Sequence, residues 1–371
     1  MGRVGGGQPA RPSELEEACI MGKTSVQERG AQTVSVVAAW AAMAAGEALQ
    51  PYEYEAGPLG IDQVEIAVSH CGICHSDLSM IEDAWHMSRY PLVAGHEVVG
   101  VITAVGESVE ARQVGQRVGL GAQSGSCGAC RECLAGDQNL CRTLELTMVG
   151  RHGGFADRVR CDWQFAVPVP DEIDSADAAP LFCGGVTVCN PIMQFDVKPV
   201  DRVGVIGIGG LGHMALQFLD KWGCHVVAFT STEAKCEEAM ELGADETASS
   251  RDSAAMKRFA GTLDFIISTV NVPLDWPAII SMLAPRGRLC LVGVVPKPAD
   301  IPVFEMIKGQ KSLCGSNIGS PGTIATMLDF CVRHGIRPVT ERFEMSRINE
   351  ALDRLRAGQV RYRIVLENDF V

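Results

Sequence analysis

The sequence lacks an apolar run as long as a membrane span, which needs about 20 residues. Its most apolar early stretch, residues 34–45, follows Lys23 and Arg29 and so has the layout of a signal peptide. A first β-strand is the alternative for this stretch. We favour the strand, because secretion would oxidise the clustered cysteines described below. No membrane partner is expected.

Positive charge is also scarce. The chain has 32 Lys and Arg residues against 45 Asp and Glu residues, which gives a formal net charge of -13. An acidic protein repels phosphate backbones and anionic surfaces, so nucleic acid is not an expected partner. The sequence also shows no internal repeat and no low-complexity tract.

The length and composition indicate two folded domains. The chain has 371 residues, of which 47% are hydrophobic and 21% charged, a normal balance for globular proteins. Residues 1–33 are rich in Gly, Pro and charge without a hydrophobic period, so we predict a flexible extension there. From residue 34 to about residue 180, short apolar runs are broken by Gly and Pro. This pattern predicts a β-rich domain.

The pattern changes at about Gly184, where strand-like and helix-like stretches begin to alternate. Such alternation predicts an α/β fold with a doubly wound parallel sheet. The predicted strands lie at residues 202–206, 225–229, 264–267 and 288–292, and the helices at 214–222 and 233–242. Towards the C-terminus, helices are predicted at 324–333 and 348–357, followed by a strand at 362–366.

Fifteen cysteines are present, and four of them lie close together in the pattern Cys127-x2-Cys130-x2-Cys133-x7-Cys141. Four thiolates on one short lobe suit tetrahedral zinc, and a closed set leaves no open position for a substrate. Two disulfides or free thiols are the alternatives, but cysteines this close in sequence rarely reach good disulfide geometry. The sequence therefore predicts a structural zinc site, reduced thiols and a cytoplasmic location.

A second motif is rich in glycine and follows the predicted strand at 202–206 directly. It has the form G-x-G-x-x-G and opens a predicted helix, which is the context in which such glycines bind a dinucleotide. Backbone can then approach the pyrophosphate closely, and the helix N-terminus attracts the anion. The alternative is a glycine-rich turn without a ligand. The residues of this loop are Gly207, Ile208, Gly209, Gly210, Leu211 and Gly212.

The end of the next strand indicates which cofactor is bound. An NAD site usually places Asp or Glu there to bind the ribose diol. Here the strand ends in Thr230, Ser231 and Thr232, and Lys235 follows. Small hydroxyls with a cation suit a 2′-phosphate, so NADP(H) is predicted to be preferred over NAD(H). Glu233 is the counter-argument, because its carboxylate could turn towards the ribose.

Taken together, these motifs resemble the zinc-dependent medium-chain dehydrogenase/reductase superfamily, and within it the cinnamyl alcohol dehydrogenase-like branch. The resemblance runs from about residue 36 to the end. It implies a GroES-like catalytic domain at residues 34–183 and 320–371, with the zinc lobe at 127–141, and a Rossmann domain at 184–319. It rests on the run from Cys71 to Leu78, on Gly95-His96-Glu97, on Cys183 before Gly184, on the lobe and glycine loop, and on residues 360–364.

The resemblance also implies the site. Cys74, His96 and Cys183 match the ligands of a catalytic zinc, with a fourth position left for water or substrate. The remaining matches are Glu97 as a carboxylate near the metal, Asp77 as the acid that orients His96, Ser76 as the hydroxyl that passes the proton, Thr187 beside the nicotinamide, and His75 and Arg363 near the pyrophosphate. Two zinc ions per chain are therefore expected.

Two positions depart from the family pattern. Ser79 stands where the family commonly has a relay histidine, so the proton must leave by water, by the cofactor ribose or by His75. Asn317 stands at a pocket position that is often large and apolar, while Trp85 and Met87 match other pocket positions and keep an apolar wall. The aromatic preference of the family is therefore not carried over.

The expected function is interconversion of primary alcohols and aldehydes by hydride transfer. An NAD-dependent polyol or formaldehyde-type dehydrogenase of the same superfamily is the main alternative. A zinc-free quinone reductase and a nonenzymatic zinc interaction protein are the others. The resemblance further implies a homodimer or homotetramer, joined through strand edges near residues 288–294.

Overall fold

The computed structural model describes residues 1–2, 35–232, 234–295 and 297–370. The extension predicted at residues 1–33 lies almost wholly outside the described residues, and Glu233 lies outside them too. Residues 35–371 form one unit. Within the described ranges, no helix is both long enough and apolar enough to cross a membrane.

The described residues form seventeen strands. In chain order they are β1 (Val36–Ala41), β2 (Gln50–Glu55), β3 (Gln63–Ile73), β4 (Val98–Val105), β5 (Arg117–Leu120), β6 (Gln123–Gly125), β7 (Glu145–Leu146), β8 (Arg158–Asp162), β9 (Val167–Pro168), β10 (Arg202–Ile206), β11 (His225–Thr230), β12 (Glu246–Ser249), β13 (Leu263–Ser268), β14 (Leu283–Leu291), β15 (Ser312–Gly315), β16 (Thr340–Glu344) and β17 (Arg363–Glu367).

The same residues form eleven α-helices. They are α1 (His75–Ile81), α2 (Arg131–Leu134), α3 (Ser175–Ala178), α4 (Gly184–Gln194), α5 (Gly212–Trp222), α6 (Ala234–Glu241), α7 (Ser253–Lys257), α8 (Trp276–Met282), α9 (Val303–Gly309), α10 (Pro321–His334) and α11 (Ile348–Arg356). The predicted first strand near residue 36 and the strands and helices predicted after residue 200 are all present, which confirms the α/β fold class.

The strands from β10 to β15 form a six-stranded parallel sheet with the order β12-β11-β10-β13-β14-β15. Counted along the chain, this is the 3-2-1-4-5-6 order of a Rossmann fold. Its strands are buried on both faces: Val203 and Val205 lie in one hydrophobic cluster, while Ile206 lies in another. The order in which strands are added reverses between β10 and β13, although the two strands are parallel, and this switch point is where such sheets bind ligands.

The second large sheet has seven strands and is mostly antiparallel. Its order is β16-β17-β3-β4-β5-β9, and β8 also pairs with β3. The C-terminal strand β17 pairs with β3 from the first half of the chain, with Ile364 opposite Ile73. This pairing carries Arg363 to the end of β3, next to the residues of α1. The C-terminal segment thus returns to the domain in which the chain began.

Residues 288–291, where a subunit contact through a strand edge is expected, do not form a free edge. Arg288 of β14 pairs with Phe265 on one side and with Ser312 on the other, so β14 is an interior strand. The chain continues through α9 and adds β15 outside it. On this side of the sheet the edge strand is therefore β15, and both sides of residues 288–291 are already paired.

Helix α5 allows a test of the packing. Leu219 is fully buried between α5 and the Rossmann sheet, whereas Leu134 on the cysteine lobe is 77% exposed. Leu219→Ala should lower the free energy of unfolding by about 2–5 kcal/mol, because it leaves a cavity. The control, Leu134→Ala, should change it by less than about 0.5 kcal/mol. Urea denaturation followed by tryptophan fluorescence checks both, and equal losses in the two variants would contradict the assigned core.

Candidate functional site

A cleft of about 340 Å³ lies where the two large sheets meet. One wall comes from the carboxyl ends of the parallel strands and includes Gly210 and Thr269. The other wall comes from the end of β3 and the start of β17. The remaining residues that line the cleft, on either wall, are Ile73, Cys74, His75, Ser76, Ser79, Trp85, Leu211, Asn271, Val292, Gly293, Val294, Leu355, Tyr362, Arg363 and Ile364. The cleft thus joins the glycine loop to one of the predicted metal ligands.

The three dispersed residues predicted to bind a metal meet at this cleft. Cys74 follows β3, His96 precedes β4 and Cys183 precedes α4. Together with Glu97, they place their donor atoms within 4.8 Å of one another. His96 Nε2 lies 3.3 Å from Cys183 Sγ. Residues that are far apart in sequence therefore form one compact donor set.

Asp77 holds this donor set in place. It is completely buried, and its Oδ2 accepts a 2.8 Å hydrogen bond from the Cys74 N–H at the start of α1. Its Oδ1 accepts from the Gly95 N–H at 2.8 Å and from His96 Nδ1 at 2.9 Å. Because Nδ1–H donates to Asp77, His96 Nε2 keeps a free lone pair on the side of the two thiols and can bind a metal there.

The Glu97 carboxylate connects the cluster to the C-terminal strand. It is completely buried, and its Oε1 accepts a hydrogen bond from the Arg363 guanidinium. Burial raises the pKa of Glu97 to about 7, although the charge of Arg363 opposes this shift. Its Oε2 has no hydrogen-bond partner among the described residues. A cation beside the cluster would satisfy that oxygen.

The donor set fits zinc. Two thiol sulfurs and one imidazole nitrogen are the usual ligands of a catalytic zinc site, and a carboxylate oxygen of Glu97 lies within 4.8 Å of them. A hydrogen bond from the Cys183 thiol holds the pKa of Cys74 well below its usual range. Cys74 is therefore ready to bind a metal as the thiolate.

The four lobe cysteines form a second donor set. The sulfurs of Cys127, Cys130, Cys133 and Cys141 lie within 4.8 Å of one another, and no disulfide joins the described cysteines. Cys130 Sγ lies 3.5 Å from Cys133 Sγ, and Cys141 Sγ lies 3.6 Å from Cys127 Sγ. Hydrogen bonding from the backbone of Cys127 helps to lower the pKa of Cys141 to about 6. Four sulfurs with this spacing fit a closed zinc site.

The glycine loop takes the backbone path that its residues allow. Gly207 has φ +90°, a conformation that favours glycine. A Cβ on Gly212 would lie 1.9 Å from the carbonyl oxygen of Gly207, so only glycine lets α5 start this close to β10. Apart from Gly209 and its chain neighbours, no atom of the described residues lies within 4 Å of the place that a Cβ of Gly209 would take. The loop therefore leaves open space beside its backbone.

The residues predicted to select the cofactor lie beside this loop. Lys235 Nζ donates a 3.1 Å hydrogen bond to the carbonyl oxygen of Ile208. Ser231 and Thr232 are exposed, whereas Thr230 is buried and its hydroxyl donates to the Thr232 carbonyl at 2.9 Å. Thr230 therefore shapes the turn, while Ser231 and Lys235 remain accessible to a phosphate.

The other predicted site residues divide into two groups. Ser76 Oγ lies 3.7 Å from Cys74 Sγ, and His75, Ser79 and Trp85 line the cleft. Thr187 lies in the first turn of α4, where its N–H donates to the Cys183 carbonyl. By contrast, Met87 and Asn317 are exposed and do not line the cleft, and the Asn317 carbonyl accepts from Asn190.

Two residues that the sequence did not single out lie against the glycine loop. His213, directly after the last glycine of the loop, is completely buried and stacks on the Tyr362 ring, with 4.6 Å between the ring centres. Its position after the motif was the only signal in the sequence. Its contacts with Val339 and Tyr362 join residues more than a hundred positions apart in the chain, so no local pattern could reveal them.

The comparisons with known proteins agree with this geometry. Residues 60–171 match the model of the alcohol dehydrogenase GroES-like domain, and residues 210–333 match that of the zinc-binding dehydrogenases. The chain is 52% identical to the aldehyde reductase AdhA of Synechocystis sp. over 90% of this chain and 99% of that protein.

Two solved structures are similar over their whole length. The cinnamyl alcohol dehydrogenase SbCAD4 of Sorghum bicolor is 39% identical, with a TM-score of 0.86 over 90% of this chain and 98% of that one. The Helicobacter pylori enzyme CAD, solved in complex with NADP(H), is 28% identical, with a TM-score of 0.83 over the same shares. With its two sheets, its cleft and its donor sets, the chain belongs to the zinc-dependent medium-chain dehydrogenase/reductase superfamily and is an alcohol/aldehyde oxidoreductase of its cinnamyl alcohol dehydrogenase-like branch.

Proposed function

We propose that this enzyme reduces aldehydes to primary alcohols with NADPH and holds one catalytic and one structural zinc ion per chain. The observation that carries the proposal is the convergence of Cys74, His96 and Cys183 at a cleft whose opposite wall is the glycine loop. The 52% identity to a protein named aldehyde reductase supports the direction of the reaction.

The catalytic groups divide the chemistry between them. When bound, zinc polarises the substrate oxygen as a Lewis acid, and the nicotinamide supplies the hydride. Cys74, His96 and Cys183 would hold the metal, and Asp77 keeps the His96 ring in the tautomer that leaves Nε2 free. The cleft wall formed by Ile73, Trp85, Val292, Val294 and Leu355 receives an apolar aldehyde and keeps water away from it.

The proton comes from the chain itself. Ser76 Oγ lies beside Cys74 and lines the cleft, so its hydroxyl can give a proton to the substrate oxygen as the alcohol forms. When the alcohol is oxidised, Ser76 Oγ accepts the proton from the substrate oxygen. Ser79 has no ring nitrogen with which to relay it further. The imidazole of His75 is exposed and lines the same cleft, so it offers a route for the proton between Ser76 and solvent.

The preference for NADP(H) rests on the turn after β11. Ser231 is exposed there, and Lys235 Nζ lies against the glycine loop, where it adds positive charge. A 2′-phosphate between these groups would gain a charge-assisted hydrogen bond. The Helicobacter pylori relative, which was solved with NADP(H), supports this assignment.

The two zinc sites can be separated by substitution. Cys183→Ser should leave one zinc per chain and reduce the rate of benzaldehyde reduction to below about 1% of wild type, because the catalytic metal is lost. Cys130→Ser should lower the thermal unfolding midpoint first, because the lobe loses its closed site.

Zinc content, unfolding temperature and initial rates with benzaldehyde and cinnamaldehyde check both variants. Full activity in the Cys183 variant would overturn the catalytic site. A single zinc in wild type, without turnover, would favour a nonenzymatic zinc protein.

The cofactor proposal has its own test. Lys235→Ala should raise the KM for NADPH by about 10- to 100-fold, the cost of losing a hydrogen bond to a charged group, and should leave the KM for NADH nearly unchanged. Lys221→Ala, which removes an exposed lysine paired with Asp220 on α5, is the control and should change neither. An equal rise for both cofactors would argue against 2′-phosphate recognition by Lys235.

We further propose that the enzyme forms a homodimer through the edge of the Rossmann sheet. The outer edge of β15 has no partner among the described residues, and the neighbouring helix α9 exposes Val303, Phe304 and Ile307. An open edge beside exposed apolar side chains is suited to pairing with a second copy of the chain. The same face could serve in a larger homotetramer.

The dimer proposal predicts a change in mass. Phe304 is 73% exposed, and Phe304→Glu should convert the dimer into a monomer, because a carboxylate would be buried in the contact. Val200→Glu changes an apolar residue before β10 that is even more exposed, at 89%, and it should leave the mass unchanged. Light scattering after gel filtration measures both, and a dimeric Phe304 variant would place the interface elsewhere.

A further inference from the structure

His213 makes three contacts that tie the glycine loop to the C-terminal segment. Its Nδ1 lies 3.1 Å from the carbonyl oxygen of Gly209, and its Nε2 lies 3.2 Å from the backbone nitrogen of Val339. Its ring stacks on Tyr362 with an angle of 5° between the planes. Val339 and Tyr362 lie beside β16 and β17 of the other sheet, so the imidazole joins the two halves of the cleft.

These partners define the protonation of the ring. A carbonyl can only accept, so Nδ1 must carry the proton, and a backbone N–H can only donate, so Nε2 must be bare. Both nitrogens are thus satisfied by a neutral imidazole. Burial lowers the pKa of His213 to about 3, which agrees with a ring that stays neutral at physiological pH.

The contact with the Gly209 carbonyl fixes the orientation of a peptide in the glycine loop. It accepts from the ring of His213 and also from the His213 backbone N–H at 3.1 Å. In a trans peptide, the C=O of Gly209 and the N–H of Gly210 point in opposite directions. Because the carbonyl is held against His213, the Gly210 N–H is turned the other way, and Gly210 lines the cleft.

We propose that His213 is a positioning residue for cofactor binding, which fixes the Gly209–Gly210 peptide so that its N–H faces the pyrophosphate of the dinucleotide. Oriented backbone N–H groups are a principal means of binding such an anion. The proposal requires only that the enzyme binds a nicotinamide dinucleotide. It does not depend on the preference for NADP(H), because the pyrophosphate is common to both cofactors.

The test separates hydrogen bonding from packing. His213→Phe keeps a ring for Tyr362 but removes both hydrogen bonds, and should raise the Kd of NADPH and of NADH by the same factor, about tenfold. The kcat at saturating cofactor should stay within about twofold of wild type. His213→Asn keeps an amide N–H for the Gly209 carbonyl and should bring both Kd values back to within about threefold of wild type.

The Kd values are measured by titration of the zinc-loaded enzyme, monitored by NADPH or NADH fluorescence. His334→Phe, on α10, is the control. That ring also packs against an aromatic side chain, Phe330, at an angle of 38°, but it does not line the cleft, so the substitution should change neither Kd. Unchanged Kd values in the folded Phe variant would overturn the proposal, as would an Asn variant that is impaired as strongly as the Phe variant. A rise for NADPH alone would instead indicate an effect on the 2′-phosphate.

A measurement on wild type covers the case in which His213→Phe does not fold. Nitrogen NMR of histidine-labelled, zinc-loaded enzyme should show, apart from His96 with its Nε2 on the metal, a buried ring protonated at Nδ1 and bare at Nε2. This ring should respond to NADPH and NADH alike. The opposite tautomer, or a ring that ignores both cofactors, would overturn the proposal.

Discussion

The buried ion pair between Glu97 and Arg363 is the interaction on which the geometry of the cleft depends. Both side chains are almost completely removed from water, and such a pair is tolerated only when its partners satisfy each other closely. Glu97 belongs to the donor cluster, whereas Arg363 begins the last strand and also lies close to Gly210 of the glycine loop. One contact therefore fixes the distance between the metal donors and the cofactor loop. Separating the two halves of the cleft would leave both charges buried without a partner, which would cost considerable free energy.

Asp77 shows how local folding and site geometry use the same atoms. Its carboxylate caps the first turn of α1 through the Cys74 N–H, and so belongs to an ordinary helix start. The same carboxylate orients His96. Two of the donors are thus placed by one buried acid. Helix formation and metal-site assembly are therefore coupled, and a change at Asp77 would disturb both.

Local patterns explain what the sequence could predict. The spacing of the lobe cysteines and the glycine loop are short-range signals, and the alternating strands and helices after Gly184 are long and periodic. The set of Cys74, His96 and Cys183 is different, because 87 residues separate the last two, and only resemblance to a family could join them. Helix α4 was missed because it begins with two glycines and contains Pro191, which argue against a helix in sequence. The edge of the Rossmann sheet was misplaced because no local pattern showed that β15 would be added outside β14.

The chain and its proposed ligand are both negatively charged, so they repel each other, and the fold overcomes this repulsion with groups close to the site. A protein of charge -13 repels polyanions at a distance, yet a dinucleotide is itself an anion. Exposed charges further away than about 8 Å are largely screened at physiological salt, so the groups lining the site decide binding. There the loop presents glycine N–H groups at the start of α5, with Lys235 on one side and Arg363 on the other. A small anion that enters the cleft meets these cations. The chain can therefore bind a dinucleotide despite its negative net charge.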